Sequence, residues 1–480
     1  MEGTRLVGIG DITDGIVRSV EEAQAGFNEL FEPVIRLGVT GLSRSGKTVF
    51  ITSLVANLLH RGRMPQLAAH AEGRIAAAFL QPHPDDAVPR FDYEGHLDAL
   101  IGPEPRWPTS TRAISTLRIS LKVQGRGMLA GFTGPRVVHV DIVDYPGEWL
   151  LDLPLMGMDY ATWSARTIAE TRSAGRAAHA DDWLAAMAGI DPAEPLDEPR
   201  ATAQARAFTA YLQRCRDGGL SGFAPGRFLM PGDLEGSPAL TFAPLPEPSG
   251  RVKSGSLWKA FERRYEAYKR VVVKPFFRDH FARIDRQIVL IDALSAIHAG
   301  PQAVDDLHDA MSAILEAFRP GQNSWLSSIL GKRVERILFA ATKADHLHHS
   351  QHARLTALVE AMLTEAKSRA QFRGAEVEAL SLAALRATVE DRVTHDGAAL
   401  DVVRGTLLDT GKVAALHPGD LPDDPKRFLS EARGEGARWL GGDYQVMRFA
   451  PPAISLAPGD GPPHIRLDRA AQFLIGDKLA

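Results

Sequence analysis

A single cysteine, Cys215, among 480 residues excludes an internal disulfide framework and argues against a cysteine-ligated zinc site. No uninterrupted apolar run is long enough to span a bilayer. The first residues (MEGTRLVGIGDITDG) lack the basic and then apolar regions of a signal peptide, so a cytosolic location is expected, with peripheral membrane association left open. Neither sign of charge dominates. Lys+Arg total 55 against 59 Asp+Glu, a net −4, which argues against general nucleic-acid binding. What is present is an ordinary globular balance, 45% apolar and 24% charged, with length enough for two to three domains.

Ile16, Val20, Ala23, Phe27 and Leu30 recur at spacings of four and three, predicting an N-terminal helix within 1–33, capped by Asp14 and ended by Pro33. Val34–Thr40 reads as a strand that enters a Gly-rich turn and then a helix over Thr48–Leu59, the opening unit of a parallel α/β domain. Further strands are expected at Leu117–Val123, Val137–Val143, Gln287–Ile291, Ile337–Ala341 and Val377–Leu380. These are Val/Ile/Leu-rich runs suited to strands buried on both faces. Residues 155–220 and 255–285 read as helical and are joined by the Pro/Gly-rich loop Phe223–Gly250. The expected organisation is an α/β domain split into 34–150 and 285–395, a helical insertion over 151–284, and a C-terminal extension over 396–480 with short strands.

The strongest motif is Gly41-Leu-Ser-Arg-Ser-Gly46-Lys47-Thr48, a full GxxxxGK[ST] between a strand and a helix. Its glycines let backbone N–H groups turn onto phosphates, where the helix dipole adds positive potential. Gly41, Ser43, Arg44, Ser45, Gly46, Lys47, Thr48 and the following Val49 are therefore expected nucleotide contacts. In this reading Lys47 neutralises the β- and γ-phosphate oxygens and Thr48 offers its hydroxyl to Mg²⁺. Downstream, Asp144-x-x-Gly147 ends an apolar strand and matches the GTPase pattern of a metal-facing Asp and a Gly amide at the γ-phosphate. Asp141 competes for the metal role, and the spacing to Gly147 favours Asp144. Thr342-Lys343-Ala344-Asp345 follows another strand and matches the [NT]KxD base-recognition element. A carboxylate there pairs with guanine N1–H and N2–H, and adenine has no such donor pair.

Ser381, Leu382 and Ala383 stand where a last guanine-contact loop would fall, and an ordinary helix start fits them as well. Trp107-Pro-Thr109-Ser-Thr111 lies where a first mobile segment of such a protein would lie. Thr111, over Thr109, is the candidate to complete the metal shell. The crowd of His346, His348, His349 and His352 is read as a solvated helical segment, because no carboxylate or cysteine accompanies it at ligand spacing. Phe261, Tyr265 and Tyr268, at i, i+4 and i+7, are read as a core stripe rather than a nucleic-acid or membrane surface.

Taken together, GLSRSGKT, WPTST, VDYPGEWLLDLPL, PGRFLMPGDLEGSPAL, VVKPFFRDHFARIDRQIVLID, TKADH and PPHIRLDRAAQFLIGDKL resemble the YcjX family of bacterial stress-associated P-loop GTPases, often labelled YcjX-like ATPases. The resemblance covers nearly the whole chain. It implies a GTPase-type α/β fold with a mostly parallel sheet and a large helical insertion, binding GTP or GDP with Mg²⁺. It further implies an association with envelope stress and a partner protein at the inner membrane. Two residues depart from the small-GTPase pattern. Glu148 replaces the water-orienting Gln, so slow intrinsic turnover is expected, and Arg44 sits inside the phosphate loop, where it is a candidate for positive charge supplied in cis. Together with Lys47 and Thr111, these form the expected catalytic set. An ATPase using the same loop, and a non-hydrolysing scaffold stabilised by nucleotide, remain the alternatives.

Overall fold

The computed structural model describes residues 32–480 apart from 43, 86, 110–112, 127–133, 251, 318–333, 373–374, 396 and 434–446, and leaves out the side chains of 174 and 365–372. The expected N-terminal helix lies outside the described residues except for Glu32 and Pro33, as do the site candidates Ser43 and Thr111.

One sheet contains β1 (Val34–Gly41), β2 (Ile75–Gln81), β3 (Ser115–Val123), β4 (Arg136–Asp144), β5 (Arg286–Ile291), β6 (Arg336–Ala341) and β7 (Glu376–Ser381), in the order β2-β3-β4-β1-β5-β6-β7. β4, β1, β5, β6 and β7 run parallel, and β3 and β2 add to one side in antiparallel register. Burial on both faces explains the unbroken apolar runs. Ile288, Leu290, Leu338 and Ala340 pack into a core with helix α1 (Lys47–His60), whereas their neighbours Val289, Ile291, Phe339 and Ala341 pack into the opposite core. The fold is the mostly parallel α/β class anticipated from the sequence.

Residues between β4 and β5 form helices α2 (Tyr160–Glu170), α3 (Ala174–Ala188), α4 (Glu198–Asp217) and α5 (Leu257–Tyr268) with shorter turns. Their interior is aromatic. The Trp163 ring stacks on Tyr265 with centroids 5.1 Å apart, and Phe242 meets the Tyr265 edge at 5.8 Å. Phe261, Tyr265 and Tyr268 are fully buried, so the core reading of that stripe holds. This aromatic interior is continuous with one face of the sheet.

Three features differ from expectation. β2 (IAAAFLQ) was not anticipated, because three successive alanines carry little strand preference. A second, antiparallel sheet of β8 (Val389–His395), β9 (Ala398–Thr406) and β10 (Val413–Leu416) begins before residue 396. Its first strand, VEDRVTH, is charged and exposed and offers no apolar pattern. Finally, the C-terminal segment, expected to hold short strands and turns, also forms helix α6 (Leu467–Ile475). Leu467, Ala470, Leu474 and Ile475 are buried in the same core as β1 and α1.

Candidate functional site

β1 delivers the chain to the phosphate loop in the middle of the sheet. Gly46 adopts φ +86, and a Cβ there would meet nothing, so its backbone conformation rather than space requires glycine. At Gly41 the constraint is space, since a Cβ would collide with the Ser45 hydroxyl and lie 2.6 Å from the Leu290 carbonyl. Ser45 is itself buried, and its N–H donates to Leu42 O at 3.1 Å. Lys47 Nζ donates to Gly41 O at 2.9 Å, so its ammonium lies back across the loop. Arg44 adopts φ +66 and reaches Asp217, at the end of α4, at 3.7 Å across an exposed pair.

Asp144 ends β4 beside the loop, in register with Val39 of β1, and is 1% exposed. Asp141 is otherwise engaged. Arg118, its cross-strand partner on β3, holds it through two bonds of 2.6 and 2.7 Å, which keeps the carboxyl below its usual range against the opposing effect of burial. Gly147 follows, and a Cβ on it would lie 2.8 Å from Gly41 C and O, so its backbone presses on the first residue of the phosphate loop. A buried Thr48 hydroxyl and a buried Asp144 carboxylate are hard oxygen donors of the kind Mg²⁺ prefers, so these residues fit that ion.

Thr342-Lys343-Ala344-Asp345 leaves β6 with Lys343 at φ +60. The Lys343 ammonium is anchored on Asp292, which also caps the helix after β5 by accepting from Ser295 N–H at 3.2 Å. Asp345 is 4% exposed. Its Oδ2 accepts the Ala387 N–H at 2.8 Å and its carbonyl accepts the Thr388 hydroxyl, so two contacts fix its position while carboxylate lone pairs remain to accept further bonds.

The phosphate loop and the Thr342–Asp345 segment line a cavity of about 360 Å³, whereas Asp144 and Gly147 do not reach its wall. Ser45, Gly46, Lys47, Thr48 and Val49 line its phosphate-loop end; Thr342, Lys343 and Asp345 line the other. Of the last candidate loop, Ala383 reaches the wall with Ala384 and Leu385. Ser381 and Leu382 stand behind it, their N–H groups donating to Thr356 Oγ1 and Ala341 O, and the Ala383 N–H donates to Ile465 O. A second cavity of about 360 Å³ adjoins the first, and Arg44, Ser45, Lys343, His346 and Arg448 line both. Glu148, buried, opens on the second cavity and not the first.

Residues not singled out from the sequence complete the first cavity. Phe449 and Arg448 reach it from near the C-terminus, and Leu408 from the loop after β9. The Trp107 indole N–H donates to Phe449 O at 2.8 Å, and the His346 ring meets the Phe449 edge at 5.1 Å. Burial holds the His346 imidazole below its usual pKa, which favours the neutral ring. No local motif announces Arg448 or Phe449, because their partners lie far away in sequence. The expected solvated His segment is corrected too. His346 and His352 are buried, the latter with Nε2 2.7 Å from Ala344 O, and only His348 and His349 reach the surface.

Comparison with known proteins agrees with this architecture. A protein 38% identical over 475 residues, covering 96% of this chain and 99% of its own length, is the Ras-like GTPase YcjX of Escherichia coli K12. The Ras-like GTPase YcjX of Shewanella oneidensis is 34% identical over 495 residues, covering 98% of this chain and 100% of its own length. The model of the YcjX-like family, DUF463, matches residues 35–479, and with relatives this similar over nearly their whole length the chain belongs to that family.

Proposed function

We propose that the chain binds GTP and, with Mg²⁺, hydrolyses it to GDP and phosphate, acting as a regulatory switch read by the helical insertion. The observation that carries this reading is the shared cavity. A phosphate loop opening a helix, a buried base-recognition carboxylate and the Ala383–Leu385 wall face one space of about 360 Å³. In this reading Lys47 leaves the Gly41 carbonyl to neutralise the β- and γ-phosphates, while the N–H groups at the start of α1 hold the phosphate oxygens. Thr48 and Asp144 would hold Mg²⁺, with Thr111 as the further candidate; the ion supplies charge neutralisation on the phosphate oxygens. Gly147 offers its amide beside the loop. Glu148 is the candidate to orient water, and its negative charge makes slow turnover the expectation.

Asp345 gives the reading its base preference. Against ATP, a buried carboxylate would lose two donors and gain none. A role in envelope stress, on the cytoplasmic side of a membrane-bound partner, rests on the family resemblance. No helix of the described residues is long and apolar enough to cross a membrane.

The deciding experiment titrates the protein with GTP, GDP and ATP in Mg²⁺, beside Asp345→Ala. Guanine nucleotides are expected to bind at least about tenfold more tightly than ATP, with the margin lost in the variant. Equal binding of ATP, unaffected by the substitution, overturns the assignment and favours an ATPase. Tight GTP binding with no turnover supports the scaffold.

A further inference from the structure

Outside the nucleotide cavity, two imidazoles and a carboxylate converge. His348 and His349 lie where the chain turns from the Asp345 loop into the helix at His352–Phe372, and Glu390 comes from β8 in the small sheet. One ligand atom from each lies within 4.8 Å of the others, the one such group among the described residues. His349 Nδ1 is 2.9 Å from Glu390 Oε2, and His348 Nε2 is 3.9 Å from the same oxygen. An ion held at about 2.0–2.2 Å by each donor sets donors somewhat over 3 Å apart, so small side-chain rotations bring all three into place.

The surroundings orient two of the donors, although His348 Nδ1 also lies 3.5 Å from the Ser350 N–H at the helix start. His348 Nδ1, the nitrogen turned away from Glu390, is 2.9 Å from Ser350 Oγ and 3.6 Å from Asp401 Oδ2. Metal-bound imidazoles are commonly oriented in this way through their second nitrogen. Arg392 holds the other Asp401 oxygen at 2.8 Å. On Glu390, the Oε1 not facing the rings accepts the His349 N–H at 2.9 Å, which orients the carboxylate. His348 is partly buried while His349 and Glu390 are exposed, so the three donors meet at the surface with solvent access.

We propose that His348, His349 and Glu390 form a binding site for a divalent transition-metal ion of the zinc class, with Asp401 and Ser350 positioning His348. Two nitrogens and one carboxylate suit Zn²⁺, Co²⁺ or Ni²⁺; Mg²⁺ and Ca²⁺ prefer oxygen donors alone. The ion joins two segments far apart in sequence. Those segments also meet at Asp345, whose contacts Ala387 and Thr388 immediately precede β8. The site is therefore a clip between the small sheet and the 344–352 segment, with one coordination position left to water or an incoming ligand.

The test titrates the full-length metal-free protein with Zn²⁺ by calorimetry in the presence of excess Mg²⁺, and repeats the titration with Co²⁺ followed by visible absorption. One equivalent is expected to bind with micromolar affinity or better. His349→Ala and Glu390→Gln should each weaken binding by about tenfold or more, and Asp401→Asn by a smaller factor. All three positions are at least partly exposed, so unchanged circular dichroism and melting of the metal-free variants will show that the fold is intact. Absence of a stoichiometric site, displacement by Mg²⁺, or undiminished binding in the His348→Ala/His349→Ala double variant each overturns the proposal.

Discussion

Arg44 is the residue the sequence marks out as a candidate for charge supplied in cis. Its guanidinium lies on the phosphate loop yet reaches the insertion at Asp217, and both side chains are mostly exposed. Such a pair adds at most about 1 kcal/mol to stability. Arg44→Ala is accordingly expected to leave the melting temperature nearly unchanged while slowing single-turnover GTP hydrolysis by about tenfold or more, if the residue moves onto the transferring phosphate as a charge supplied in cis. An unchanged single-turnover rate removes Arg44 from catalysis. At this scale the sequence was informative where a motif is local and silent where a neighbour is remote. Spacing to Gly147 favoured Asp144 over Asp141 but gave no sight of Arg118, whose cross-strand grip engages Asp141. Thr342-Lys343-Ala344-Asp345 was legible, but Ala387 and Thr388, which fix Asp345, were not.

Among elements, the turns after Gly147 are joined closely to the insertion. The Arg227 guanidinium lies 3.3 Å above the Trp149 ring centroid, and the Trp149 indole donates to Met230 O at 3.1 Å. A Cβ at Gly226 would strike the Glu148 carbonyl, so the insertion backbone rests directly on the segment that follows Gly147. Asp152, fully buried, accepts the Gly226 N–H at 2.6 Å and shares a short bond with the Tyr268 hydroxyl. Burial raises its carboxyl to about 7. A carboxyl raised in this way stabilises the fold fully below the ordinary carboxyl range near pH 4 and loses that contribution as pH rises through about 7. Asp152→Asn does not titrate, so it should gain on the wild type by roughly 2 kcal/mol between pH 5.5 and pH 8. Urea unfolding of both proteins at the two pH values measures this, and a constant difference refutes it. The parallel strands were legible because burial on both faces writes an unbroken apolar run. β2 and β8 were not, because an alanine-rich edge and a charged, exposed strand carry no such run.

For the molecule as a whole, the far end of the sheet is fastened by charge. Arg286 opens β5 and is 1% exposed. It pairs with Glu335 before β6 and, at 2.8 Å, with Asp477 beyond α6. Arg336 adds a bond of 2.6 Å to Phe473 O in the same helix. Glu335 and Asp477 keep 54% and 32% of their side chains exposed, so removing the buried guanidinium strands no buried charge, and Arg286→Ala should destabilise the whole chain by about 1.5–3 kcal/mol through its lost charge-assisted bonds, in one cooperative transition. Arg286 lies at the opposite end of β5 from the phosphate loop, so GTP affinity of the folded variant should be unchanged. A separate low-stability transition confined to α6 would show that the helix is an appendage instead. The fold class was readable before any of this, since motif order and strand pattern are written along the chain. The walls of the cavity were not, because Trp107 and Phe449 meet only after the chain has returned from its far end.

That return has a consequence in time. Phe449 leaves the ribosome about four hundred residues after Lys47. At about 5–20 residues per second, the delay is roughly 20–80 s. During that interval the nascent chain carries a phosphate loop beside an unfinished cavity, and β1 and α1 await the helix that fills their core. Nucleotide bound only by the finished pocket cannot stabilise the chain while it is being made, and acts as a folding ligand only after release.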